Sequence, residues 1–80
     1  MRFKQGDIIR NGWKTDNDPF RCFIYLNQSG YLCNVINFGE KMIISQFRYT
    51  DLENDTHFTK VGHTDAFKIM KWDLAGYNFT

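Results

Sequence analysis

Apolar and polar residues alternate with a period of two through much of this chain, and that period places strands. A first strand is expected at Asp7–Asn11, behind the turn-forming Gly6-Asp7. The sharpest alternation covers Phe20–Leu26, where Phe20, Cys22, Ile24 and Leu26 share one face and Arg21, Phe23 and Tyr25 the other. Asn27-Gln28-Ser29-Gly30 reads as a hairpin turn, with Gly30 free to take a positive φ. Tyr31–Asn37 is the return strand, and a turn at Asn37-Phe38-Gly39-Glu40 leads into a further strand, Lys41–Phe47. Thr50–Thr56, with Asp51, Glu53 and Asp55 alternating, reads as a solvated acidic loop, and His57–Val61 as a short last strand.

After Gly62 the spacing changes. Thr64 is a good N-cap and Asp65 suits a first helical turn, where the dipole favours a carboxylate. Ala66, Phe67, Met70 and Leu74 then fall on one face at helical spacing, and Gly76 provides a stop, so a helix is predicted over about 64–75. The expectation is one domain over residues 1–80, mainly β with one C-terminal helix. A meander that is apolar on both faces must curl or be covered. Either a small antiparallel β-barrel or a strongly curled five-stranded sheet satisfies it, with the helix laid against the strands.

Composition supports strands. Aromatic residues make up 18% of the 80 residues while alanine occurs only at Ala66 and Ala75, a balance that favours pleated sheet over helix. The net charge of +1 argues against nucleic-acid binding driven by bulk electrostatics. Cys22 and Cys33 lack metal or redox spacing and are expected as free, partly buried thiols. No apolar run reaches the length of a membrane span, and the basic start lacks the apolar core of a signal peptide. A cytoplasmic location is therefore expected, in the host cytoplasm if the gene is carried by a phage.

Several segments resemble known groups. Gly6-Asp7-Ile8-Ile9 is similar to the opening strand of SH3-like barrels. The longer pattern Gly6-Asp7-Ile8-Ile9-Arg10-Asn11-x-Trp13, with Asn17-x-Pro19-x-Arg21-x-Phe23-Ile24-Tyr25 and Phe58-x-Lys60-Val61-Gly62-His63-x-Asp65-Ala66-Phe67, resembles small proteins of bacteriophages and mobile elements of Gram-positive bacteria. That resemblance implies an origin and no particular activity. Gly6-Asp7-Ile8 is also similar to the start of MazF-type toxin endoribonucleases, but their basic catalytic loop has no clear match here.

The chemistry on offer is thin. His57 and His63 flank one strand and would serve as acid and base for phosphodiester cleavage, with Arg48 stabilising the anion; a structural role for His63 beside Gly62 competes with that. Neither a calcium loop nor a four-ligand zinc site is spelled out, and no metal or cofactor is expected. Aromatics interleaved with basic residues suggest a surface instead. Arg10, Arg21, Phe23, Tyr25, Lys41 and Arg48 would suit a single-stranded nucleic acid by base stacking and phosphate contact. Trp13, Arg21, Tyr25 and Tyr31 would suit a protein partner, because Trp, Tyr and Arg anchor such contacts. The polar segment Trp13–Arg21 is the leading candidate, with Trp13 either binding a partner or capping the end of the barrel. The principal expectation is a non-enzymatic module docking on a host or phage protein, with inhibition of that protein as one form the role would take. The alternatives are a nucleic-acid-binding barrel and a ribonuclease-type toxin, and a homodimer through an unpaired strand edge is compatible with all three.

Overall fold

The computed structural model describes residues 1–37, 43–65 and the backbone of the pair 78–79. Five strands run antiparallel: β1 (Asp7–Asn11), β2 (Cys22–Ser29), β3 (Leu32–Asn37), β4 (Ile43–Arg48) and β5 (Phe58–His63). A helix, α1 (Tyr49–Asn54), connects β4 to β5. A two-residue strand, β6 (Asn78–Phe79), pairs parallel with β4 at Ile43 and Ile44. The sheet order is β5-β1-β2-β3-β4-β6, so β1, the first strand, lies between β2 and the returning β5.

The alternation in the sequence becomes two apolar faces. Ile9, Phe23, Tyr25, Cys33 and Val35 are buried on one, joined by Phe3, Leu52 and Phe58. Ile24, Leu26, Ile36 and Ile44 are buried on the other, with Ile8 packed beside them. The first face holds a ring cluster. Phe23 stacks on Phe47 with centroids 4.9 Å apart, and Phe47 meets Phe58 edge-on at 5.6 Å. Phe47 is on β4 and Phe58 on β5, so the antiparallel sheet curls until its outer strands touch through side chains.

That contact is not a closed barrel. Among the described residues β5 bonds only to β1, and the space between β4 and β5 is crossed by α1, whose Leu52 is fully buried against the rings. The curled sheet is the form observed, and ladder closure is not. Among the described residues the sheet also carries two bulges. Leu26 is an extra residue on β2, between the Tyr25–Val35 and Asn27–Asn34 pairs. Val61 is an extra residue on β5, between the pairs Ile8–Gly62 and Ile9–Lys60.

The hairpin joining β2 and β3 is tighter than the sequence suggests. Ser29 pairs with Leu32, leaving Gly30 and Tyr31 as the loop. Gly30 has φ of +63° and Tyr31 does not have a positive φ, the pattern of a turn that demands glycine first. Asn27–Ser29 therefore belong to the strand. Thr50–Thr56 is not a loop: most of it forms α1, which buries Leu52 alone. The helix over 64–75 lies outside the described residues from 66 onward, as do Phe67, Met70, Leu74 and the Phe38-Gly39-Glu40 turn.

Candidate functional site

β5 carries a polar cluster at each end. At its start, the long segment after β1 brings Trp13 against His57. Trp13 is 63% exposed, yet it is held from three directions. Its indole Nε1 donates to Asp55 Oδ2 at 2.7 Å, and its ring stacks on the His57 imidazole with centroids 3.9 Å apart. Its backbone N–H donates to Oδ1 of the buried Asn11 at 3.0 Å. Asp55 in turn accepts from the His57 backbone N–H at 2.8 Å and lies 2.9 Å from His57 Nδ1. Hydrogen bonds from the His57 backbone and from the Trp13 indole hold the Asp55 carboxyl below its ordinary value.

The surroundings lock this arrangement. Gly12 N–H donates to the His57 carbonyl at 2.9 Å, fastening the segment to the start of β5. Arg2 donates from Nε to the Leu52 carbonyl at 2.7 Å and from Nη2 to the Asp55 carbonyl, so it caps the C-terminal end of α1. Arg10 organises the rest of the segment. Its Nη1 donates to the carbonyls of Asn11 at 2.9 Å and Arg21 at 2.8 Å, and its Nη2 to Asp16 Oδ1 at 3.1 Å. Asp18 closes the turn before β2 by accepting from Phe20 N–H at 2.8 Å.

The second cluster lies at the far end of β5. Asp7, only 2% exposed, has Oδ1 within 2.8 Å of His63 Nδ1 and 3.3 Å of Lys60 Nζ, and its Oδ2 accepts from the Lys4 backbone N–H at 3.0 Å. Burial pushes the Asp7 carboxyl up, but the Lys4 amide, His63 and Lys60 outweigh it and leave it below its ordinary value. The other imidazole nitrogen, Nε2, is 3.2 Å from Asp65 Oδ1. Gly6 sits beside this knot with φ of +92°, and a Cβ there would lie 2.1 Å from the Thr64 carbonyl. His63 thus has a carboxylate at each nitrogen and ties the start of β1 to the end of β5.

The residues singled out from sequence separate accordingly. Trp13 and Tyr31 are on the surface, Tyr31 at 76% exposure. Tyr25 and Phe23 are not: they are 5% and 0% exposed, on the face that curls inward, so neither can touch a protein or stack on a base. Arg10 is committed to three backbone carbonyls and Asp16, counting a longer contact to Lys14 O at 3.3 Å, and is a loop clamp in place of a phosphate ligand. Arg21 is half-buried, and its Nη1 turns back to the Asp18 carbonyl at 3.2 Å. Arg48 is exposed at the end of β4, and Lys41 lies outside the described residues.

His57 and His63 do not form one acid–base pair. A strand advances about 3.3 Å per residue, so the two imidazoles are anchored roughly 20 Å apart along β5. The thiols are also apart in kind. Cys33 belongs to the ring-lined face, while Cys22 is next to Phe23 in the alternation and so points to the opposite one. Both are free, and burial raises the Cys33 thiol above its usual range. Asp55 and Asp7, which organise the two clusters, were not identified as site residues from sequence. Asp55 is one of three alternating acids, and nothing in the spacing separates it from Asp51 and Glu53.

In comparison with known proteins, no family model, no curated protein and no solved structure matches this chain. Among the described residues no helix is long and apolar enough to cross a membrane, and no group of three or more His, Cys, Asp or Glu side chains is placed to hold a metal.

Proposed function

We propose that this protein is a non-enzymatic binding module, of phage or mobile-element origin, that docks on a protein partner through a surface centred on Trp13. One observation carries the reading: a large aromatic side chain is exposed and at the same time fixed. Exposed indoles that rotate freely lose entropy on binding, whereas Trp13 is already fastened by Asp55, His57 and Asn11. Buried Trp anchors with restricted freedom are the side chains that dominate binding energy at protein interfaces.

Tyr31 extends the surface. Its carbonyl accepts from Tyr49 N–H at 2.7 Å at the start of α1, and Trp13 is bonded to Asp55 just past the end of that helix. The two exposed aromatics therefore stand at opposite ends of α1. The strand order, with a helical segment between β4 and β5 and with β5 returning beside β1, supports reading the curled sheet as SH3-like, its β4 and β5 meeting through side chains without ladder closure. A nucleic-acid surface has less support, because Phe23, Tyr25 and Arg10 are all engaged inside the molecule.

The test is affinity capture from a Gram-positive bacterial lysate, using wild-type protein, Trp13→Ala and Tyr31→Ala as baits. At least one protein is expected to be retained by wild type and lost with Trp13→Ala, while the circular dichroism spectrum stays unchanged. Removing a Trp anchor costs about 2 kcal/mol or more, roughly a thirty-fold loss of affinity. Identical sets of captured proteins from wild type and Trp13→Ala would overturn the reading.

A further inference from the structure

The geometry points to the kind of partner that the Trp13 surface takes: a segment that presents a cationic side chain, arginine above all, to the open face of the indole. This inference rests on Trp13 being the docking anchor. One face of the ring lies on His57, and the 63% exposure of the residue leaves the other to solvent. An aromatic face is the negative end of the ring quadrupole and attracts a cation. Here the attraction is strengthened, because the indole N–H donates at 2.7 Å to an ionised carboxylate, which polarises electron density into the ring. The carboxyl of Asp55 is held ionised by the bonds that fix the indole.

The charges around the ring agree. Asp51 lies one helical turn before Asp55, whose N–H donates to the Asp51 carbonyl at 2.9 Å. Asp51 is exposed and makes no ion pair among the described residues. Glu53 is 3.6 Å from the Met1 ammonium, and Asp16 and Asp18 are matched by Arg10 and Lys14. Of the three acids on and just after α1, Asp51 is the one with no ion pair among the described residues. A guanidinium is the better fit than an ammonium, because it is planar, stacks on an indole and offers several N–H groups to carboxylates at its rim. An acidic segment would meet Asp51 and Asp55 with like charge, and a purely apolar one would leave them desolvated and unpaired.

The experiment uses the intact, ¹⁵N-labelled protein at low salt, titrated with the peptide acetyl-Arg-Gly-Arg-Gly-Arg-amide. Its lysine and glutamate counterparts are titrated alongside. The readout is the indole N–H resonance that disappears in Trp13→Phe. A saturable shift with the arginine peptide is expected, weaker by several-fold for the lysine peptide and absent for the glutamate peptide. Asp51→Asn, which leaves the bonds to Trp13 in place, is expected to weaken arginine-peptide binding at least three-fold, and Trp13→Leu, followed through the backbone amide resonances of Asp55 and His57, at least ten-fold. No saturable shift with either basic peptide, or equal binding by wild type and Asp51→Asn, would overturn the cation preference. A partner captured through Trp13 despite that result would leave the docking surface standing and remove only its preference for a cation.

Discussion

At the scale of the residue, Asp7 shows how one buried carboxylate is stabilised. It is shielded from water but receives the Lys4 amide, His63 and Lys60. Among the described residues no buried side-chain polar atom lacks a partner, and Asp7 accounts for much of that satisfaction at the β1–β5 junction. Removing it takes the acceptor from an amide and from two basic side chains that stay partly in water, so Asp7→Ala is expected to lower stability by about 1–2 kcal/mol in urea denaturation at neutral pH. The pH dependence has a definite sign. The folded carboxyl titrates below its ordinary value of 3.8, so its contribution is present above that pH and is lost as pH falls through the lower folded value. The urea midpoints of wild type and Asp7→Ala should therefore converge as the pH approaches 2, a range in which Asp carboxyls are protonated.

At the scale of the element, the segment between β1 and β2 has no regular structure but a dense set of bonds. Arg10 is their hub, and Arg10→Ala is expected to speed amide hydrogen exchange at Lys14 and Asp18 while lowering global stability by only about 1 kcal/mol. Strand alternation was legible in the sequence because it is repeated: Asp7–Asn11 matches its expected span, and β2 to β4 differ from theirs only at their ends. The short helix was not legible. Six residues with one buried Leu give no helical period, and what holds α1 is Arg2, some fifty positions away in sequence. The site was half legible for the same reason. Trp13 stands out by its residue type, whereas Asp55 matters only through a bond made across the fold. The inward faces of Phe23 and Tyr25 depended on which way the sheet curls, which local alternation does not encode.

At the scale of the whole molecule, the sheet separates two apolar clusters, one on each face. Cys33 sits in the ring-lined cluster at 0% exposure, whereas Cys22 is half-buried on the other face. Maleimide labelling followed by mass spectrometry should therefore modify Cys22 in the native protein. Cys33 should react only at denaturant concentrations that unfold the whole domain, since no smaller opening frees it from beneath the rings. The edge strand bears on assembly. β5 carries a bulge at Val61 and a lysine at Lys60, two features that oppose pairing with a second sheet.

The place of β1 between β2 and β5 also sets the order in which the protein can be completed during synthesis. β2 follows β1 after a short interval and can pair with it as soon as both have left the ribosome, but Asp7–Asn11 waits for Phe58–His63 on its other side. Closing that gap means joining segments about fifty residues apart, the slowest kind of contact for a small domain to form. Until then the nascent chain displays a bare strand edge along β1, and the arrival of Phe58–His63 is what removes it.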